Sequence, residues 1–546
     1  MPLLESELAA LTLEALRAAQ AAGDLPAFDE PSSVPISHSK NPDWGDFSTA
    51  VAMQLAKTVG RPPHAIAEVL EEHMPDSELV GSTSVSPPGF VNFTISAEWL
   101  AAQVGEVLRL GAAYADLIQQ AGKAQVEYIS ANPTGPLTVG HLRGGVIGDA
   151  LANVLEAAGF EVTREFYFNN AGKQMRRLGE SYRTRYLQAL GEDVELEQDA
   201  YHGEYLVQMA TALVESVGDT LRQEPWQTFA ELAEEELSRG QRETMARLGI
   251  VMDVYFNERT LYDDNSVWDV AEALREKGLA YEKDGALWFR ATALGGPEDR
   301  VIVRSTGEPT YRLPDIAYHI NKLERGFDLI VDVLGADHKD AFPDVVRGVE
   351  ALGYDPSPIR LVMNQFVTIR GERMSKRAGR FTTLDELLEE VPPDVVRFFL
   401  LMRAAESHLE FDLDLAREQS EKNPVYYVQY AHARLCSILR LADERGFSSE
   451  DGDTSLLQHP SEMALIRRML DLAHVIDRVH RDLAPHMLTT YARDLASDFH
   501  VFYRDCRVLD EAEPQLSAAR LRLVEAARVA LARTLELIGV SAPESM

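Results

Sequence analysis

Two polar loops carry the residues best suited to chemistry. The first is Asn132-Pro133-Thr134-Gly135-Pro136-Leu137-Thr138-Val139-Gly140-His141; the second is Gly371-Glu372-Arg373-Met374-Ser375-Lys376-Arg377-Ala378-Gly379-Arg380. Gly140 lets a ligand approach the backbone, and His141 falls where a helix N-terminus would point free N–H groups at an anion. A turn followed by a core helix with one satisfied histidine is the plainer reading of the same residues. In the second loop Lys376 lies between Arg373 and Arg377, in a chain whose usual cation is arginine. An ammonium there is a compact point charge on a flexible stem, suited to clamping a phosphate. A solvated basic loop is the alternative.

Two acidic positions add to this. Glu127 interrupts the apolar run Val126–Ile129, and a lone buried carboxylate is costly without a cation. That cation is either a ligand or an arginine of the protein itself. Asp337 and His338 follow the apolar segment Leu329–Leu334. In an open parallel sheet ligands bind at the carboxyl ends of strands, so this pair reads as a ribose or substrate contact. A helix start is the alternative.

The elements that must position these loops follow from periodicity. Val126–Ile129 is of strand type, and the Asn-Pro-Thr-Gly-Pro sequence then forces a turn. Ile147, Leu151, Val154, Leu155 and Ala158 recur at helical spacing until Gly159, and Phe160–Phe168 reads as a second strand. Strand, glycine-bearing loop, helix and strand open a parallel nucleotide-binding sheet. A Glu-rich helical insertion is expected over about 172–248. The sheet is expected to resume at Leu287–Arg290 and Arg300–Arg304. It continues through Leu329–Leu334 and the strand-like run Ile359–Ile369, which leads into the second loop. Around this α/β unit (116–395) stand an N-terminal α+β region (1–115) and an all-helical region (396–546). In the last, Tyr426, Tyr427, Tyr430, Tyr491, Phe499, Phe502 and Tyr503 form an aromatic stripe, which is core or, in part, a base-stacking platform.

Composition bounds the rest. The 546 residues are 45% hydrophobic and 26% charged, an ordinary globular balance. Cys436 and Cys506 are the only cysteines, too few for a thiolate zinc site or a disulfide framework. No apolar run is long enough to span a membrane, and the acidic N-terminus is unlike a targeting sequence. A cytoplasmic protein is expected. The formal net charge of −34 argues against nucleic acid on its own. Potential is local, however, over a Debye length of about 8–10 Å. Arginines gather at Arg164 to Arg185 and from Arg467 to Arg507.

Thr138-Val139-Gly140-His141 is similar to the His-x-Gly-His signature, and Arg373-Met374-Ser375-Lys376-Arg377 to the Lys-Met-Ser-Lys-Ser signature, of class I aminoacyl-tRNA synthetases. Ser130–Pro136, Tyr167–Gly172 and Gly307–His319 resemble the arginyl-tRNA synthetases in particular, and the likeness spans nearly the whole chain. It implies a Rossmann-like parallel-sheet catalytic domain, an N-terminal domain touching the outer corner of tRNA, and a helical anticodon-binding bundle. The implied substrates are L-arginine, ATP with Mg2+, and tRNA(Arg). The cysteine count and the lack of a long apolar run lead to the expectation of no zinc and no membrane, and the lack of a coiled-coil seam to that of a monomer. By the same resemblance Thr138, Gly140, His141, Asp337, Arg373, Ser375 and Lys376 hold ATP, with His141 and Lys376 catalytic. Glu127, Ser130, Asn132, Tyr311, Asp315 and His338 hold arginine, and Ala131 to His141 is the signature region. Arginine activation is implied to wait for tRNA. Thr138, where many relatives carry the first histidine, can donate a hydrogen bond but no charge. It keeps open a non-catalytic tRNA-binding paralogue. A small-molecule adenylyltransferase of the His-x-Gly-His group fits the length and the helical region less well.

Overall fold

Five parallel strands form the frame on which the first polar loop hangs. The structure, a computed structural model, describes residues 3–39, 41–117, 121–170, 172–369, 372–373 and 383–546. The N-terminal elements are α1 (Leu4–Ala22), β1 (Ile36–His38), β2 (Phe47–Thr49), α2 (Val51–Val59), α3 (Pro63–Glu72), β3 (Val80–Ser86), β4 (Phe90–Ile95) and α4 (Ala97–Leu110). The four strands pair antiparallel in the order β1-β2-β4-β3. Phe47, Val91, Phe93 and Ile95 turn inward beneath the helices, as alternation along half-buried strands requires.

The central elements are β5 (Gly122–Glu127), α5 (Val139–Ala157) and β6 (Phe160–Phe168), then the helical insertion α6 (Lys173–Ala189), α7 (Glu204–Val217) and α8 (Trp226–Arg247). After these come β7 (Val254–Asn257), α9 (Arg259–Asp263), α10 (Ser266–Glu276), β8 (Ala280–Lys283), β9 (Ala286–Phe289) and β10 (Arg300–Val303). The region closes with α11 (Arg312–Glu324), β11 (Leu329–Gly335), α12 (Phe342–Ala351) and β12 (Ile359–Asn364). The parallel sheet runs β12-β11-β5-β6-β7. From β5 the chain steps to β6 on one side and later to β11 on the other. That reversal makes the crevice beyond the carboxyl end of β5 the expected ligand site. The insertion has its own core of Leu178, Tyr182, Tyr186, Leu206 and Phe229, while Glu231 and Glu235 face solvent.

Three sequence expectations change here. Residues 287–290 and 300–304 do not continue the parallel sheet: β8, β9 and β10 make a separate antiparallel one. Asp284 and Gly285, both at positive φ, close β8 and β9 into a two-residue hairpin, which satisfies their ladder locally. The first strand ends at Glu127 rather than Ile129, because Ile129 (φ 71) and Ser130 (φ 39) turn into the left-handed region. The run 359–369 is two strands in different sheets, β12 and then β13 (Val367–Ile369).

Beyond β13 lie β14 (Glu372–Arg373), α13 (Leu384–Glu390), α14 (Pro393–Leu401), β15 (Leu409–Glu410) and α15 (Leu413–Arg417). The bundle of α16 (Pro424–Glu444), α17 (Pro460–Asp482), α18 (His486–Asp505) and α19 (Pro514–Ile538) follows. Asn423 caps α16 by accepting from the N–H groups of Val425 and Tyr426, with Pro424 at the first helical position. One apolar core runs from the N-terminal sheet through α5 into the bundle. Among the described residues no helix is long and apolar enough to cross a membrane.

Candidate active site

Helix α5 begins at the first polar loop and is seated by small residues. A Cβ on Gly148 would lie 2.3 Å from Cγ of Tyr128, and one on Gly145 would lie 2.9 Å from Cγ1 of Ile129. Only glycine lets the helix come this close to the end of β5. Thr138 is the N-cap, and with His141 it forms a reciprocal capping box. The Thr138 backbone N–H donates to Nδ1 of His141 at 3.2 Å. A neutral imidazole that accepts at Nδ1 carries its proton on Nε2, so the ring turns a donor away from the helix. Arg143, wholly buried, donates to the carbonyl oxygens of Gln365 (3.1 Å), Ala404 (2.8 Å) and Ser407 (2.7 Å). It fastens the helix of the first loop to the chain that enters the second.

Glu127 is not a lone carboxylate. Register sets Asp332 of β11, Glu127 of β5 and Glu165 of β6 side by side across three adjacent strands. All three are buried. Helix α11 crosses this row and brings a cation to each position. Lys322 reaches both Glu127 and Asp332, each at 2.5 Å. His319 Nε2 lies 3.0 Å from Asp332, and Arg325 grips Glu165 with two bonds of 2.6 and 2.9 Å. Burial would raise the Asp332 carboxyl, but Lys322 and His319 hold it well below the usual carboxylate range. The partner foreseen for Glu127 was an arginine of the protein or a ligand; it is Lys322. The signal was available, since Asp315, His319 and Lys322 recur at helical spacing on α11, with Tyr311 at its N-cap.

Two nearby carboxylates are answered differently. Burial pushes Asp315 up to about 7, with His319 pulling it down and Glu258 and Glu127 pushing it further up. Burial also raises Glu258, whose hydrogen-bond partners are phenol hydroxyls, Tyr167 at 2.7 Å and Tyr262 at 3.5 Å. Glu258 follows directly on β7, at the same carboxyl edge of the sheet. Sequence reasoning missed it, although a carboxylate at the end of a parallel strand is itself a pointer. Glu258, Tyr262 and Tyr311 line a cleft of about 570 Å3.

The other expected residues gather around this cleft to different degrees. Ser130 donates to Glu127 at 2.8 Å, and its oxygen accepts from the Tyr167 N–H at 3.2 Å. Asn132 donates to Gln174 Oε1 at 2.8 Å, and Gln174 in turn donates to the Tyr311 hydroxyl at 3.0 Å. Gln174 of the insertion, also unforeseen, therefore bridges two of the expected residues. His338 is exposed at the carboxyl end of β11, outside the hydrogen-bonded cluster. Asp337 lies in the same short 3-10 turn, and its side chain lies outside the description. Ser375, Lys376 and Arg377 lie outside the described residues; of Arg373 only the backbone is described, in β14.

Three family models cover most of the chain. Residues 6–95 match the arginyl tRNA synthetase N-terminal domain, 103–397 the class I (R) tRNA synthetase catalytic domain, and 428–546 the DALR anticodon binding domain. An arginine–tRNA ligase of Desulfotalea psychrophila is 45% identical over 93% of this chain and 94% of its own. The chain belongs to the arginyl-tRNA synthetases. A second family member, from Salinibacter ruber, is 44% identical over 97% of this chain and 98% of its own. The solved arginyl-tRNA synthetase of Thermus thermophilus covers both chains fully with a TM-score of 0.76 at 23% identity, a likeness of fold.

In this arginyl-tRNA synthetase part of the charge of the two arginine clusters is paired with the protein's own acids. Arg164 pairs with Glu156, Arg177 with Asp199, Arg467 with Asp46, Arg468 with Asp498, Arg481 with Asp477 and Arg504 with Asp505. The aromatic stripe divides. Tyr491, Phe499 and Phe502 are buried, whereas Tyr430 is exposed and stacks on Tyr426 at 6.3 Å and on His500 at 6.2 Å.

Proposed function

We propose that this class I synthetase joins L-arginine to tRNA(Arg) at the carboxyl edge of the parallel sheet, in two steps. In the first, a carboxylate oxygen of arginine attacks the α-phosphorus of ATP. The bond to the bridging oxygen breaks, and pyrophosphate leaves with the electron pair. In the second, a ribose hydroxyl at the 3′ end of the tRNA attacks the arginyl carbonyl and gives up its proton, and AMP leaves. Such steps need positioning and charge neutralisation more than covalent help from the protein.

One observation carries the reading. The row Asp332, Glu127 and Glu165 is neutralised by α11, whereas the carboxyls of Asp315 and Glu258 beside it are both raised, and Glu258 meets phenol hydroxyls rather than a cation. A guanidinium is the cation that two converging carboxylates grip best, through planar paired hydrogen bonds. Ser130 and Asn132 are assigned to the ammonium and carboxylate of arginine, and Tyr311 and His338 to the mouth of the pocket. Glu127 contributes its field, since Lys322 and Ser130 already engage its oxygens. An amino acid without a guanidinium leaves those charges unpaired, so binding alone discriminates against it.

ATP, carried in with Mg2+ as part of the substrate, is assigned to the N-terminus of α5. A Cβ on Gly140 would meet nothing nearer than 3.4 Å within the protein. The demand for glycine there is thus better explained by a nucleotide lying against the helix than by packing. Nε2–H of His141 and the Thr138 hydroxyl donate to phosphate, with Asp337 at the ribose. Arg373, Ser375 and Lys376 close on the departing pyrophosphate. In this reading the N-terminal region meets the outer corner of tRNA, the bundle reads the anticodon, and the enzyme is a cytoplasmic monomer whose chemistry uses no zinc.

Pyrophosphate–ATP exchange with each of the twenty amino acids, with and without total tRNA, tests the whole. Exchange with arginine alone is expected, and only when tRNA is present. Exchange with another amino acid, or none with arginine, overturns it. Lys376→Ala should slow exchange severely and leave tRNA affinity nearly unchanged; equal losses in both would remove Lys376 from the pyrophosphate clamp.

A further inference from the structure

At the junction of the N-terminal region and the bundle, three elements bring imidazoles and carboxylates together. Glu5 comes from the first turn of α1, His38 from the end of β1, and His474 from the middle of α17. One ligating atom from each lies within 4.8 Å of the other two. Glu5 Oε1 is 2.6 Å from Nδ1 of His474, and the two imidazole rings meet edge-on with centroids 5.5 Å apart. Asp471, one helical turn before His474, holds its carboxylate 3.9 Å from Nε2 of His38. None of these residues belongs to the catalytic cleft.

We propose that Glu5, His38 and His474, with Asp471 beside them, bind one zinc-like transition-metal ion that fastens α1 and β1 to α17. Two imidazole nitrogens and a carboxylate oxygen are donors that favour Zn2+ and its neighbours; Ca2+ and Mg2+ take oxygen-only cages. Tetrahedral bonds of about 2.0–2.2 Å put ligand atoms roughly 3.3–3.6 Å apart. Closing from 4.8 Å at most, and opening the Glu5–His474 contact from 2.6 Å, is within the reach of side-chain rotation. The thiolate argument against zinc does not touch this set, which contains no thiol.

The charge of the locus points the same way. With both imidazoles neutral, Glu5 and Asp471 bring two negative charges to a partly buried junction. The guanidinium facing Asp471, from Arg468 at 3.5 Å, is shared with Asp498 at 2.8 Å and Asp494 at 4.0 Å. A divalent cation would neutralise this surplus. The His38 ring packs against that of Phe47, its cross-strand partner, with centroids 4.5 Å apart. Because the imidazoles must be unprotonated, affinity falls as pH drops through the histidine range.

The test uses the full chain, stripped with a chelator and titrated with Zn2+ against a chromophoric competitor, and separately with Co2+ for its visible spectrum. One equivalent is expected, with the intense visible bands of tetrahedral Co2+. His38→Ala and His474→Ala should each weaken binding at least tenfold, with arginine exchange retained as evidence of folding. Glu5→Gln covers the case in which a histidine variant fails to fold. It keeps an acceptor for His474 but removes the anionic ligand, and it too should weaken binding. No stoichiometric binding, or binding unchanged in the folded variants, overturns the proposal.

Discussion

The ammonium of Lys322 lies 2.5 Å from a carboxylate oxygen of Glu127 and 2.5 Å from one of Asp332, and no part of its side chain reaches solvent. Burial alone would lower its pKa, yet the two acids hold it above the ordinary lysine value. It is the pivot of the buried charge row formed by Asp332, Glu127 and Glu165. Replacing it by methionine strands two carboxylates in the core. Breaking a buried pair in this way costs about 3–5 kcal/mol. Lys322→Met should therefore lose that much stability in urea unfolding monitored by circular dichroism. A loss below about 1 kcal/mol would mean that the row is hydrated, and that α11 does not neutralise it.

Asp315 gives the arginine site a pH dependence of predictable sign. Its carboxyl stands at about 7, above the ordinary carboxylate value, so in the free protein it holds a proton below that pH. A raised folded-state pKa contributes stability that is present at low pH and lost as pH rises through about 7. A guanidinium entering the cleft reverses the preference, because it favours the ionised form. The KM for arginine should rise as pH falls below about 7, by at most about tenfold per pH unit. Asp315→Asn should remove the dependence and reduce kcat/KM for arginine roughly 10- to 150-fold, the worth of one charged hydrogen bond. A KM that is flat between pH 8 and 6 in the unaltered enzyme would dissociate Asp315 from the guanidinium.

Gln174 offers a test with the opposite sign. Its amide accepts from Asn132 and donates to Tyr311, and so it occupies a donor assigned above to the carboxylate of arginine. Arginine must displace it. A neutral hydrogen bond is worth about 0.5–1.5 kcal/mol net. Gln174→Ala should therefore lower the KM for arginine about 2- to 10-fold in steady-state aminoacylation. A raised KM would show that the bridge holds the closed site together instead of guarding it.

How much of this was legible beforehand depends on the range of the interaction. Helix α5, β6, the helices of the insertion and those of the bundle follow from local periodicity and capping. Lateral pairing does not. Nothing in the segment 287–304 says whether its strands join the parallel sheet; the Asp284–Gly285 turn decides it by closing a hairpin first. Glu127 could be read as a carboxylate needing a cation, but the cation sits 195 residues away. It became its partner only through the packing of α11 across β5 and β11. Thr138 shows the reverse. By type it is a departure from the signature, and by position it is an N-cap that turns the histidine it precedes.

Tyr430 separates RNA reading from chemistry. Tyr491, Phe499 and Phe502 of the bundle are core, but the Tyr430 ring is exposed and lies near-parallel to the rings of Tyr426 and His500. Of the arginines in the bundle, Arg468 pairs with Asp498 and Arg504 with Asp505, while Arg434 donates to the Tyr503 hydroxyl and lies over its ring. A chain of formal charge −34 must then gain a larger share of its tRNA affinity from stacking than from phosphate contacts. A stacked base is worth about 1–3 kcal/mol when its aromatic partner is cut to alanine. Tyr430→Ala should thus weaken tRNA binding roughly 5- to 150-fold in filter or fluorescence titration. With saturating tRNA the arginine KM should stay the same, because Tyr430 lies in the bundle and not at the sheet edge. Tyr430→Phe keeps the ring and should restore most of the affinity. If alanine and phenylalanine weaken binding equally, the hydroxyl rather than the stacked face is what the tRNA meets.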